Sequence, residues 1–370
     1  MPANVSRSPA QSSARGARAE QDAAADGRNR TSKEGEIMYS SRTWVFGSLS
    51  ALVLAACSAT SPPPVLQSLP QGRQITASVR ADVRFGLTAA HIAASRAARG
   101  PGYERAAKTK PTLFVSDIDS DMIRLFPANQ KNPTQDGSIT SGIDLPVNDA
   151  VDKQGTLYVA NNGNSSVTEY PLGQTSPSVT LSGGMLVFPN GIAVGKTGTV
   201  YVTSGAYAGQ CYVLVYTKGK SSPKAQINGF DLPVGLALDK NGNLYVGDAI
   251  ANKVWKVTKG STTPTDLGLN GLSDPTGVAI DRNNDLWVAN DQNNTALGFH
   301  LGQTSAFATI TSGLQGPYSI AFGASGRLFI GNSLHYPGSV AGFKKGATSP
   351  YESISVANPA GVAVHPRPNP

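Results

Sequence analysis

Six polar residues recur every 42 to 44 positions, each closing a short run of aromatic and branched residues: Asp117, Asn161, Ser204, Asp248, Asn290 and Asn332. A repeated column of acceptor oxygens has two uses. It can cap backbone turns, as Asx side chains do, or converge on a cation or a hydroxylated ligand. A second column follows six prolines and reads Val147, Asn190, Val234, Thr276, Tyr318 and Ala360. A hard divalent ion takes several anionic oxygens, and this column holds no carboxylate. No tight metal site and no cofactor are expected; Asn190, Asp248 and Asp117 are the candidates if an ion binds.

Two longer segments, 204–210 and 332–338, follow the first column and carry Tyr207, His335 and Tyr336. With Tyr318 these are rings with polar tips, suited to stacking on a sugar or holding a peptide. The candidate ligand-binding set is therefore Asn190, Tyr207, Asp248, Asn290, Tyr318, Asn332, His335, Tyr336, Asp117 and Asn161. General-base chemistry needs a partner within hydrogen-bond reach of a His. His300 and His365 fall in connections expected at the opposite end from these columns, which leaves His335 alone.

The elements that hold both columns come from a repeat. Pro146, Pro189, Pro233, Pro275, Pro317 and Pro359 each precede a short apolar run, such as Gly235-Leu236-Ala237-Leu238. Turn residues follow, as in Asp239-Lys240-Asn241-Gly242, where Asp bonds nearby amides and Gly accepts positive φ. A second run such as Leu244-Tyr245-Val246-Gly247 has the aromatic and branched composition of a strand. A period near forty with strand signals predicts an all-β six-bladed propeller over 111–370. Leu113 to Asp117 matches a second strand with no inner strand before it, and Pro359 to Val364 is an inner strand with no second strand after it. The C-terminal strand is expected to close the ring by completing the first blade.

The net charge of +7 lies outside the repeats. Residues 58–110 hold 8 Lys/Arg against 2 Asp/Glu, while 111–370 hold 16 against 17. A nearly neutral domain lacks the concentrated positive charge that phosphate binding uses, so no nucleic-acid partner is expected. Upstream, Trp44 to Ala56 is an apolar run too short to span a bilayer, preceded by Arg42 and ended by Cys57, the pattern of a secretory signal. Leu54-Ala55-Ala56-Cys57 resembles the lipobox of bacterial lipoproteins, which implies cleavage before Cys57 and lipid on its sulfur. The expected organisation is a gene-model extension over 1–37, a signal over 38–56, a lipidated Cys57 with a flexible basic tether to 110, and the propeller. With Cys57 lipidated, Cys211 is expected to be a packed thiol and no intramolecular disulfide to form.

The motif Pro-x-Gly-[Ile/Val/Leu]-Ala-[Ile/Val/Leu]-Asp-x-x-Gly-x-Leu-Tyr-Val-[Ala/Gly]-[Asn/Asp] resembles the NHL repeat and covers nearly all of 112–364. It is also similar to the repeats of the gluconolactonase (SMP-30) family and of streptogramin lyase. The first of these resemblances implies a divalent metal held by an Asn and, in the next blade, an Asp after the proline, with a Glu from the first blade. Asn190 matches; Val234 and Ala360 do not. Resemblance to streptogramin lyase implies a His pair with a Glu near the mouth of a seven-bladed ring, which this sequence does not offer. The expected protein is a monomeric binding or scaffold module for a protein, peptide or glycan, anchored to the cell envelope at the outer membrane or another extracytoplasmic face. The alternative is a divergent lactonase or lyase using the channel mouth.

Overall fold

A computed structural model of the chain describes residues 110–206, 210–333 and 337–368. The expected signal, Cys57 and the tether before Lys110 lie outside these residues. The chain opens with β1 (Thr112–Asp117), β2 (Met122–Pro127) and β3 (Gly137–Ile139). Next come β4 (Pro146–Val151), β5 (Leu157–Asn161), β6 (Ser166–Tyr170) and β7 (Val179–Ser182), then β8 (Ile192–Val194), β9 (Val200–Ala206), β10 (Gln210–Tyr216) and β11 (Pro223–Phe230). They are followed by β12 (Pro233–Leu238), β13 (Leu244–Asp248), β14 (Lys253–Val257) and β15 (Pro264–Asp266). The fifth group is β16 (Pro275–Ile280), β17 (Leu286–Asn290), β18 (Thr295–Phe299) and β19 (Ala308–Ile310). The sixth is β20 (Pro317–Phe322), β21 (Leu328–Asn332), β22 (Ser339–Phe343) and β23 (Glu352–Ser355), and β24 (Pro359–His365) ends the fold. Among the described residues there is no α-helix, only a 3-10 turn at Ile118–Ser120.

These strands form six antiparallel four-stranded sheets, and the first has the order β24-β1-β2-β3. The fold is a six-bladed β-propeller closed by its C-terminal strand. Leu113 pairs with Val364, Phe114 with Ala363 and Val115 with Val362. Each inner strand packs on the inner strand of the next blade, and β24 meets both β20 and β4, which completes the circle.

Local chemistry explains the hairpins between inner and second strands that begin with Asp. Asp152 Oδ1 accepts from the amides of Gln154 and Thr156 at 2.9 and 2.8 Å, and Asp239 Oδ1 does the same for Asn241 and Asn243. Gly155 and Gly242 then take φ of 86° and 85°, a region open to glycine. These hairpins, with the third-to-outer turns, make one end of the propeller, here called the hairpin end. The strand prolines and the second-to-third turns make the other, the proline end.

The core is divided among the gaps between blades. Phe114, Ile123, Val159 and Tyr170 fill the gap between blades one and two, and Val115, Phe329, Val340 and Val362 fill that between blades six and one. β24 contributes Ala360, Val362, Ala363 and Val364, none more than 5% exposed. A fully buried branched side chain is worth roughly 1.5–3 kcal/mol, so the two valines alone are a sizeable part of a net stability of about 5–15 kcal/mol. Deleting residues 356–370 should leave β1 with a free edge and two apolar blade flanks exposed. The expected outcome is aggregation or a large fall in Tm by calorimetry; a truncated chain as stable as the parent would refute closure as the source of stability.

Candidate functional site

The first polar column is buried and bonded within its own blades. Asn161, Asp117, Asp248 and Asn290 are 0% exposed, Ser204 1% and Asn332 4%. In each blade one side-chain oxygen accepts from an amide in the connection that enters the inner strand. The donors are Asp144 to Asn161 at 3.2 Å, Val187 to Ser204 at 2.8 Å, Leu232 to Asp248 at 2.7 Å and Ser273 to Asn290 at 2.6 Å. Gln315 donates to Asn332 at 3.1 Å, and Asn358 to Asp117 across the ring closure at 3.2 Å. Other bonds tie the column to the third strand: Asn161 Nδ2 to Thr168 at 2.9 Å, Trp255 Nε1 to Asp248 at 3.0 Å and Arg124 Nε to Asp117 at 2.6 Å. Burial pushes the Asp248 carboxyl up, and the amides of Leu232 and Asp231 pull it back. The column is a set of clamps locking loop, second strand and third strand together.

The second column closes the axis at the same end. Val147, Asn190, Val234, Thr276, Tyr318 and Ala360 are all 2% exposed or less. Val147, Val234, Tyr318 and Ala360 belong to one apolar cluster with Leu145, Leu186 and Leu232. Asn190 Oδ1 accepts from Asn162 Nδ2 at 3.2 Å, and Thr276 Oγ1 donates to the Pro317 carbonyl at 3.1 Å. Burial and the carboxylates of Asp291 and Asp274 raise the Tyr318 hydroxyl. The divalent ion implied by the gluconolactonase resemblance does not fit these residues. Two of its three positions are buried hydrocarbon, and the Asn oxygen is already bonded. Asp117 and Asp248 stand in blades one and four, on opposite sides of the ring. No cluster of three His, Cys, Asp or Glu suited to a metal occurs among the described residues.

Tyr207, His335 and Tyr336 lie outside the described residues. His300 is at the hairpin end, its Nδ1 2.9 Å from Asp285 Oδ1 and its ring stacked on Phe307. His365 is half-buried at that end, and burial lowers its pKa. Cys211 is buried at the start of β10, paired with Gly205 of β9 and Phe230 of β11. Cys57, the other cysteine of the sequence, is outside the described residues.

The open space lies towards the hairpin end. A cavity of about 490 Å³ runs along the axis, walled by the inner strands of all six blades and reached between the hairpins of Lys153, Lys196 and Lys240 and the tail at Arg367. Three residues in its wall break the repeat. Where other blades have Gly191, Gly235, Gly277 and Gly361, blade two has Asn148 and blade six Ser319. Where they have Ile192, Leu236, Val278, Ile320 and Val362, blade two has Asp149. Sequence reasoning passed over Asn148 and Asp149, although a polar doublet in an apolar repeat was the available signal. Asp149 is 4% exposed, and neither of its carboxyl oxygens has a well-formed hydrogen-bond partner. Burial holds its pKa well above the ordinary range, against smaller lowering by the neighbouring Ser116 hydroxyl and its own amide.

Fold and site define a closed propeller whose axis is packed shut at the proline end and open at the hairpin end. A family model described as SMP-30/Gluconolactonase/LRE-like region matches residues 100–333. The chain belongs to that family. No curated protein sequence gives a significant match. Among solved structures, a chain of a nidogen/laminin complex is similar at TM-score 0.57 and 18% identity, over 69% of this chain and 98% of that one. A protein of unknown function from Bacteroides caccae is similar at TM-score 0.52 and 11% identity, over 69% and 99%. At these identities both speak for the fold alone.

Two stability measurements follow. Asn290→Ala removes partners of the Ser273 amide, the Gly271 carbonyl and Thr295, and should cost about 1–3 kcal/mol in denaturant unfolding; an unchanged midpoint would mean the clamp carries no stability. For Asp149 the raised native pKa means that the folded state binds the proton more tightly than the unfolded chain. Its favourable share is full below the unfolded pKa and is lost as pH rises through the folded one. Asp149→Val should therefore raise stability at pH 7 by about 1–3 kcal/mol and flatten its decline from acid to neutral pH. A variant less stable than the parent at pH 7 would contradict this.

Proposed function

We propose that this propeller is a binding module held outside the cytoplasm by lipid on Cys57, and that it takes its ligand at the hairpin end of the axis. The observation that carries this is the asymmetry of the channel. Side chains of the after-proline column fill it at one end, and the 490 Å³ recess opens at the other. The free inner edges of six strands present backbone donors and acceptors to that recess. Asn148, half-buried in the wall, adds a side-chain amide, whereas the Ser319 hydroxyl is buried against Gly331 of its own blade. Such a surface suits a segment of a peptide or glycan, or a loop of a partner protein, held by hydrogen bonds. The basic rim favours a ligand bearing carboxylate or phosphate.

Family membership favours a second reading, a divergent lactonase or lyase at the proline end using Asn190, Asp248 and Asp117. Metal chemistry there would need anionic oxygens free to bind, whereas these three side chains are buried in the bonds described above. The anchor rests on the lipobox-like Leu54-Ala55-Ala56-Cys57. The sulfur of Cys57 carries either lipid or a disulfide, so the lipidated form excludes a bond between the two cysteines.

The test combines calorimetric titration of wall-derived glycan fragments and acidic peptides with a lactone-hydrolysis assay in calcium, zinc or manganese. Saturable binding weakened about tenfold or more by Asn148→Gly, which restores the residue of most other blades, is expected, a loss of about 1.4 kcal/mol. Turnover should stay at background. A stoichiometric retained metal with hydrolysis abolished by Asn190→Ala would overturn the binding-module reading. In a high-salt wash Cys57→Ser should release the protein from membranes; retention equal to the parent would overturn the anchor.

A further inference from the structure

The connections at the two ends of the propeller carry opposite charge. Those at the hairpin end, with the tail after β24, contain twelve Lys or Arg and five Asp; those at the proline end contain six Asp and no Lys or Arg. The near-neutral total of the domain conceals this separation. Exposure sharpens it, since ten of the twelve cations are exposed and none of the five carboxylates is. Asp152 and Asp239 are turned into their own hairpins, where they accept from backbone amides. What reaches solvent at this end is positive.

Three features say what kind of anion the end fits. Every blade contributes at least one exposed cation, among them Lys131, Lys153, Lys196, Lys240, Arg282 and Lys344. The charge therefore encircles the axis instead of forming a stripe that would follow one strand or groove. Nine of the ten exposed cations are lysines, point charges on long stems that suit a diffuse anionic layer. The planar arginine fork suits bidentate recognition of single phosphates or bases. Finally, the basic segment 58–110 joins the fold at this end: the Pro111 carbonyl accepts from the Ala128 amide in the β2–β3 connection, and Thr112 pairs with His365. The segment that leads into this end holds 8 Lys/Arg against 2 Asp/Glu. Phe307, 45% exposed, stands in a connection of the same end, and aromatic rings favour the bilayer interface.

We infer that the hairpin end docks on an anionic phospholipid surface, with headgroups at the mouth of the channel. This deepens the reading that the hairpin end is the binding end, and rests on it. The described chain starts at this end, so docking through the basic ring turns the acidic proline end outward. Polybasic surfaces next to a membrane anchor gain attraction from each added lysine and lose it in salt.

The chain from Cys57 onward, without the apolar signal and made in a cell-free system that adds no lipid, is mixed with phosphatidylglycerol-containing vesicles and with phosphatidylcholine vesicles, and binding is read by flotation. Binding to the anionic vesicles alone, falling steeply with added salt, is expected. Lys153→Glu, Lys196→Glu and Lys240→Glu together should weaken it at least about tenfold with Tm unchanged; should that variant misfold, Lys259→Glu, Lys344→Glu and Lys345→Glu replaces it. Asp231→Lys at the other end should not weaken it. Equal binding to both vesicle types, or no loss in the charge-reversed chain, overturns the inference, the latter assigning the attraction to the tether. Binding to duplex DNA or polyglutamate in place of vesicles also overturns it, while leaving the hairpin end as the binding end. No loss in either charge-reversed chain and no effect of Asn148→Gly on any ligand would remove both.

Discussion

The fold depends on how closely six inner strands approach one axis. A β-carbon added at Gly191 would strike the Val234 carbonyl of the next blade, and one at Gly235 the Thr276 carbonyl of the blade after it. Backbone therefore packs directly on backbone around the ring, and glycine is required by proximity here rather than by φ. From that contact follow the apolar gaps between blades, filled in part by branched residues of the inner strands, as Val362 and Val364 fill the gap between blades six and one. The axial cavity also follows, because the innermost backbone edges face one another with no side chains to fill the space. Asn148 and Ser319 are the two positions where the ring relaxes this demand, and both line the cavity.

Much of this was legible as a repeat. The prolines marked where each inner strand begins, Asp239 and Gly242 marked a hairpin with a definite turn, and the unmatched runs at Leu113 and Pro359 located the closure. The clamp column was legible as positions but not as bonds. Asn290 accepts from Ser273, which lies before the preceding inner strand, and Asn358 donates to Asp117 from the far end of the chain. Such partners are set by sheet register and ring closure, which a local turn rule does not encode. Asp149 was missed for a related reason. A repeat is read by what its copies share, whereas a buried acid in one copy appears only when the departures are examined.

Charge shows the limit of composition most directly. A domain with 16 cations and 17 anions was expected to lack a positive footprint, because a sum carries no direction. Up-and-down topology supplies the direction: successive connections alternate between ends, so charges 20 residues apart can share a face while neighbours in sequence face away. Residues Asp239 and Lys240 show a finer separation at a single turn. The carboxylate accepts from Asn241 and Asn243 and is buried, and the lysine beside it is exposed.

The two ends then have different relations to the family. At the proline end, metal chemistry needs oxygens that are both anionic and available. Here the carboxylates of Asp117 and Asp248 hold loops to strands, and Val147, Val234, Tyr318 and Ala360 pack across the axis. Converting that end into a metal site would require replacing part of the core, with a buried charge to compensate at each substitution. The hairpin end carries no such burden. Its turn carboxylates satisfy the backbone, its lysines are exposed, and its channel is lined by the inner edges of the sheets. A closed propeller can change what it binds at this end by altering turn residues and one or two wall positions, without disturbing the contacts that keep the ring shut.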